Sequence, residues 1–171
     1  MSSVSFSDQD WFKYLDPRLQ SRVELAEILY TRELAIEDGQ PLADYTFLVF
    51  PMSKAYEGFL KQFLRDLGLI TEKVYQSRRF RIGRALNPDI KPSQRNEYWL
   101  YDDITKTCGE DLARDLWEAW LSCRNRLFHF FPKHDRSITL AQAKERLLQL
   151  SGVMARALNC EMIQSKFQID L

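Results

Sequence analysis

Arg124, Asn125 and His129 are the residues whose types and spacing could do chemistry together. They lie in the stretch LSCRNRLFHFFPKH, residues 121–134, which also holds both histidines of the chain. Residues four apart share one face of a helix, so the spacing predicts Asn125 beside His129. An amide there could fix which imidazole nitrogen carries the proton. Arg124 adds a permanent cation whose fork matches a phosphate. An orientable proton shuttle beside a phosphate clamp is a minimal set for cleaving RNA without a metal ion, with the ribose 2′-hydroxyl as the attacking group.

One geometric obstacle follows from the same spacing. Arg124 and His129 are five apart, so a regular helix separates them by roughly 140° and about 7.5 Å along its axis. They cannot converge on one atom from a straight helix. Either the helix is distorted near residues 130–132, or a second copy of the chain completes the site. The second solution is the one expected here.

The elements that must position these residues are helical. At 171 residues the chain suits one well-packed domain spanning 1–171. Glycine and proline number only six each, and the apolar stretches are long and periodic, which favours an all-α fold over a sandwich or barrel. Asp16 as cap and Pro17 at the first position begin a long helix expected over 17–38, ending at Asp38-Gly39. A second is expected over 42–67, ending at Gly68, with Pro51 kinking it or delaying its start. A third runs over 110–131, where Leu112, Leu116, Trp120 and Leu127 make one stripe that Arg124 and Asn125 interrupt. A fourth covers 139–159, capped by Ser137 or Thr139. A short helix capped by Ser7 precedes these, and another lies over 97–107, closed by Cys108-Gly109. The length and spacing of the long helices predict an antiparallel four-helix bundle with extra short helices. The tail to Leu171 carries no strong signal.

The formal net charge is zero, so any case for nucleic acid must come from local patches. One exists. Residues 71–95 hold Lys73, Arg78, Arg79, Arg81, Arg84, Lys91 and Arg95, while Gly83, Pro88 and Pro92 argue against one regular helix there. This irregular basic connector reads either as a phosphate-tracking arm or as a solvated link whose arginines pair with acid-rich helices. Phe80 and Ile82 could tack it to the body. The three cysteines, Cys108, Cys123 and Cys160, form no metal-binding spacing and read as reduced thiols in a cytosolic protein. No basic-plus-apolar leader opens the chain and no apolar run approaches the roughly 18 residues of a membrane span, so a soluble, cytoplasmic protein is expected. No cofactor and no metal site are expected.

With Arg124, Asn125 and His129 near the end of the third long helix, the chain resembles the HEPN superfamily. The defining motif of that superfamily is an arginine, usually followed by a polar residue, with a histidine four to six positions on. The segment from Tyr45 to Ile70, with SKAYEGFLKQFL in its middle, looks like the preceding helix in the HEPN domain of RNase LS-type toxins of toxin–antitoxin systems. A glutamate on that helix belongs to the active site of those toxins, and Glu57 is the position that fits. The resemblance spans about residues 20–160. Those toxins carry further domains ahead of this one, and none is seen here. The tyrosine that one HEPN subgroup modifies, two residues after the histidine, is replaced by Phe131.

The resemblance implies a homodimer that brings two such motifs into one cleft, and a metal-independent endoribonuclease acting as a toxin or defence effector. It implies cleavage by 2′-hydroxyl attack, leaving a 2′,3′-cyclic phosphate and a 5′-hydroxyl. His129 would be general acid or base, Arg124 would stabilise the phosphorane, Asn125 would orient His129 or the phosphate, and Glu57 would position Arg124 or tune His129. Arg78, Arg79, Arg81, Arg84, Lys133 and His134 are the expected RNA contacts, and a cognate antitoxin protein joins RNA among the partners. The plainer alternatives stay open. Glu57 also reads as a surface glutamate, His134 as a turn residue beside Asp135, and Trp99, Trp117 and Trp120 as core. The whole chain also reads as a non-catalytic HEPN-like interaction or RNA-binding module.

Overall fold

The computed structural model describes residues 4–36, 40–129, 132 and 136–167, and among them no strand occurs. The all-α expectation holds. A short helix α1, Asp10–Tyr14, is followed by α2, Pro17–Leu34, where the Asp16 side chain accepts the N–H of Arg18 and Pro17 occupies the first turn. Gln9, not Ser7, stands at the N-cap position of α1, and its side chain makes no capping bond. Next comes α3, Thr46–Asp66, starting four residues later than its apolar pattern suggests and carrying Pro51 in its second turn. It ends as expected at Gly68, whose φ of 77° lets its N–H and that of Leu69 bond back to Arg65 and Leu64, each at 2.9 Å.

Around α3 the rest of the chain is packed. Its buried positions Leu48, Met52, Tyr56, Phe59, Phe63 and their neighbours recur at helical spacing. The rings of Tyr56, Phe59 and Phe63 stack in series, with centroids 6.2 and 5.7 Å apart. Helix α2 lies along it, close enough that a methyl group at Gly58 would collide with the Leu19 side chain.

The connector is folded onto the body rather than loose. It forms α4, Glu72–Tyr75, then α5, Ile82–Ala85, then a 3₁₀ turn, Pro92–Gln94. Phe80, Ile82, Ala85 and Leu86 are buried, the Trp99 indole N–H donates to the Asn87 carbonyl at 2.8 Å, and the Arg95 guanidinium stacks 3.7 Å over Trp99. Helices α6, Tyr101–Cys108, and α7, Glu110–Trp120, follow, separated by Gly109 at φ 92°. The third long helix does not run to residue 131. After Trp120 comes a π-helical turn, Leu121–Asn125, then one short stretch α8, Arg126–Phe128.

Helix α9, Leu140–Leu158, is capped by Thr139, whose hydroxyl accepts the Gln142 N–H while the Gln142 side chain accepts the Thr139 N–H. The segment ahead of it is pinned to the start of α3. Asp44 Oδ1 accepts the N–H groups of Thr46 and Ile138, both at 3.0 Å, and Tyr45 N–H donates to the Ile138 carbonyl at 3.0 Å. The unsignalled tail forms α10, Glu161–Phe167, which buries Ile163 and lets Lys166 donate to the Asp66 carbonyl. Its start is tied to α6 by a disulfide between Cys108 and Cys160. Two of the three cysteines are therefore not the reduced thiols expected. Their separation of 52 residues hid a pairing that the α6–α10 contact creates. Only Cys123 is free, and it is buried. One cluster of buried side chains extends from Val4 to Ile163. Among the described residues no helix is long and apolar enough to cross a membrane.

Candidate active site

The π turn decides where Arg124 points. In it the Arg126 N–H reaches back five residues to the Leu121 carbonyl, one residue beyond the α-helical partner. A wound-out turn survives only if its polar groups find other partners. Here α3 supplies one. The Ser53 hydroxyl, 1% exposed, lies 2.7 Å from the Cys123 carbonyl and 3.0 Å from that of Val49. From the opposite side, Gln149 Oε1 on α9 takes contacts from Arg146 at 3.0 Å, Cys123 Sγ at 3.2 Å and Ser122 at 3.3 Å. Burial pushes the Cys123 thiol up, so it stays protonated as a donor. One turn earlier the buried Tyr56 hydroxyl donates to the Leu116 carbonyl at 2.9 Å.

The turn delivers Arg124 to α3. Its Nε lies 3.8 Å from Glu57 Oε2, with both side chains about one third exposed, at 34% and 36%. The guanidinium sits 5.3 Å from the Trp120 ring centre. Two adjoining hollows share Glu57 and Arg124. One, about 490 Å³, is lined also by Arg81, Arg84, Asn87, Asn125 and His129 around Trp117 and Trp120. The other, about 350 Å³, is lined also by Phe50, Ser53, Lys54 and Phe128. Among the described residues, Glu57 is the one carboxylate that lines these hollows, against four cations, Arg81, Arg84, Arg124 and Lys54.

Gly83 brings the two connector arginines in. A Cβ there would stand 2.7 Å from the Trp120 indole nitrogen, so only a bare backbone lets α5 lie on that ring. Arg81 and Arg84 flank it at the rim. They donate to the carbonyls of Arg78 and Gln94, at 2.7 and 2.6 Å, and neither makes an ion pair among the described residues. Among the described residues, the pairing of connector arginines with acidic helices is limited to Arg95 with Asp102, at 4.0 Å.

Of the residues singled out in the sequence, Glu57, Arg81, Arg84, Arg124, Asn125 and His129 come together at one cleft. Arg78 and Arg79 are exposed and line neither hollow. Lys133 and His134 lie outside the described residues, as do residues 130 and 131. Asn125 and His129 both line the first hollow, at the two ends of the short stretch α8, and the backbone turns extended at His129, with φ −105° and ψ 130°. The same fact removes the premise of the geometric obstacle. Arg124 and His129 are not on one straight helix, and they reach one cleft within a single chain. Among the described residues the distortion lies at Leu121–Asn125 and at His129; residues 130 and 131, near which it was expected, lie outside the described residues.

Sequence reasoning missed Phe50, Ser53, Lys54, Asn87 and the cleft-facing edge of Trp120. A signal was present for three of these. Phe50, Ser53, Lys54 and Glu57 form an i, i+3, i+4, i+7 stripe along the edge of the apolar face of α3, with Ser53 buried at its inner side. A larger hollow, about 600 Å³, lies between Ile36, Leu42, Ile138 and Leu140. Its lining holds no cationic side chain among the described residues, whereas the two smaller hollows set cations beside a carboxylate. Among the described residues no three His, Cys, Asp or Glu side chains gather as a metal-ion site. No protein-family model matches this chain, and neither a curated protein nor a solved structure matches it.

Proposed function

We propose that this cleft is the active site of a metal-independent endoribonuclease of HEPN type, acting as a toxin or defence effector. The observation that carries the proposal is the Glu57–Arg124 contact at 3.8 Å in a hollow that also holds Asn125, His129, Arg81 and Arg84. Those residues were selected by type and motif from three separate parts of the chain. The reading takes the long helices α2, α3, α7 with its extension, and α9 as an antiparallel four-helix bundle whose third member is interrupted.

In the mechanism, a ribose 2′-hydroxyl loses its proton to a general base and its oxygen attacks the adjacent phosphorus. The 5′-oxygen leaves, taking a proton from a general acid. The products are a 2′,3′-cyclic phosphate and a 5′-hydroxyl. His129 performs one of the two proton transfers. Arg124 stabilises the charge that develops on the phosphorane oxygens. Glu57 is a positioning residue that holds the Arg124 guanidinium, and Asn125 borders the scissile phosphate. The second proton transfer is assigned to a second copy of the chain, an assignment that rests on the resemblance and not on the helix geometry. A cognate antitoxin protein is the expected regulator. The cytoplasmic location no longer draws support from reduced thiols, since Cys108 and Cys160 are paired.

The test is cleavage of total RNA by purified protein in excess EDTA, with end-group analysis. The wild type should yield fragments ending in cyclic phosphate. His129→Ala should lower the rate by about 10²- to 10⁴-fold and Arg124→Ala by about 10²- to 10³-fold, both retaining wild-type circular dichroism. Equal cleavage by wild type and both variants would remove the catalytic assignment. No cleavage by any folded protein would favour the non-catalytic module.

A further inference from the structure

The second hollow raises a question that the catalytic assignment leaves unanswered. It adjoins the phosphate-binding side of the cleft through Glu57 and Arg124, but its other walls are the rings of Phe50 and Phe128 with Ser53 and Lys54. Phe50 is 48% exposed although it sits on the most buried helix of the chain. Its ring meets that of Phe128 edge to face, with centroids 5.4 Å apart, and Lys54 Nζ lies 5.4 Å from the Phe50 ring centre. A large exposed aromatic with a cation beside it is costly to leave in water and is a platform for a flat, polar, π-faced ligand.

We infer that this hollow is a nucleobase subsite, in which Phe50 and Phe128 receive one unpaired base next to the phosphate held by Arg124. The inference rests on the ribonuclease reading for the identity of that phosphate, and it narrows the substrate to single-stranded RNA. Three features select this occupant. First, about 350 Å³ lies at the small end of the volumes that take compact ligands, which suits one base and not a helix or a duplex. Second, Arg124 lines both hollows, so a strand with its phosphate on the guanidinium enters the second hollow with the attached base. Third, Arg81 and Arg84 on the first side and Lys54 on the second offer cations along a continuous path, which fits a strand crossing the Glu57–Arg124 pair. A base in a duplex is stacked on its neighbours and could not reach the rings without being extruded. Stacking distinguishes bases weakly, so the subsite demands an unpaired nucleotide and shows little sequence preference.

The test measures binding separately from cleavage. The probe is a 2′-O-methyl decamer of adenosine, which has no free 2′-hydroxyl and cannot be cut by this chemistry. Its affinity for the full-length protein is compared with that of an abasic decamer of the same backbone, by fluorescence anisotropy in EDTA. Phe50→Ala should weaken binding of the adenosine decamer by about 5- to 100-fold and leave the abasic decamer within about twofold, while Phe50→Trp should restore the difference. Phe50 is exposed and off the buried face, so Phe50→Ala should keep the wild-type melting transition, and Lys54→Ala supplies a second probe of the hollow. Equal losses on both decamers, or no loss on either, would overturn the subsite. So would conversion of a dimer to monomer by Phe50→Ala, which would make this face a contact between two copies of the chain. Base-dependent coupling without cleavage of natural RNA would sink the ribonuclease reading and leave the subsite standing. Cleavage without coupling would do the reverse.

Discussion

Adding one methyl group at Gly83 and one at Gly152 should move the protein in opposite directions. At Gly83 the new Cβ would lie 2.7 Å from Trp120 Nε1 and 3.3 Å from Cε2. Those are ring atoms of a side chain only 6% exposed, so the indole cannot swing aside as a flexible tip would. Overpacking of this kind costs about 1–3 kcal/mol. Against it stands the ordinary helical advantage of alanine over glycine, about 0.5–1 kcal/mol. The net is a destabilisation of up to about 2.5 kcal/mol, or up to roughly 10 °C in melting temperature for a chain of this size. At Gly152, inside α9, no atom lies within 4 Å of the added Cβ, so only the helical advantage remains. Gly152→Ala should raise the melting temperature by roughly 1–4 °C. Thermal unfolding followed by circular dichroism at one protein concentration reads both. A Gly83→Ala protein that melts above the wild type would refute the close approach of α5 to Trp120, and with it the account of how Arg81 and Arg84 reach the cleft. The same variant carries a functional corollary. Relief of the clash must lift α5 or tilt Trp120, and either movement disturbs the side chains around Arg124.

Removing the Ser53 hydroxyl should cost about 1–3 kcal/mol in denaturant unfolding, because the Cys123 carbonyl loses a buried donor at 2.7 Å; an effect below about 0.5 kcal/mol would mean that the π turn does not depend on α3. For Asp44, burial pushes the carboxyl up, but hydrogen bonds from the Thr46 hydroxyl and from backbone N–H groups including that of Ile138 outweigh it and hold it below the usual carboxylate range. Its contribution is therefore present above the unfolded value and lost as pH falls through the depressed one. Asp44→Asn should flatten the acid side of the stability–pH curve below about pH 4, the unfolded carboxylate value, and an unchanged acid limb would show that Asp44 is not the linked group. Replacing Arg81 and Arg84 by Gln should lower the slope of log affinity against log salt for a single-stranded RNA by about 1.4, about 0.7 per phosphate contact on a single strand, without changing the fold. An unchanged slope would take the connector out of the binding path.

The parts of this chain that were legible in sequence are those ruled by local chemistry. Asp16-Pro17, Gly68, Gly109 and the Thr139–Gln142 capping box mark helix ends because each acts within a few residues. The stripe of α3 was legible because burial follows the helical period. Illegible were the features made by contact across the chain. The π turn depends on Ser53 and Gln149, which lie 70 and 26 residues from Cys123, so nothing local announces it. Asp44 looks like an ordinary loop residue until Ile138, 94 residues on, donates to it. Phe50 was passed over because it broke the apolar pattern of its helix, and that break was itself the signal.

The disulfide has a topological consequence for the cleft. Cys108 and Cys160 close a covalent ring, and that ring contains Arg124, Asn125 and His129, while Glu57, Arg81 and Arg84 stay outside it. The cleft is thus a seam between a cyclic lobe and a linear one. In a chain-entropy estimate, closing a loop of this length disfavours the unfolded ensemble by about 4 kcal/mol, so the lobe bearing the histidine is tethered even before its side chains pack. A single proteolytic cut between residues 109 and 159 would leave one covalent molecule until a reductant is added, and only then would the two fragments separate under denaturing conditions.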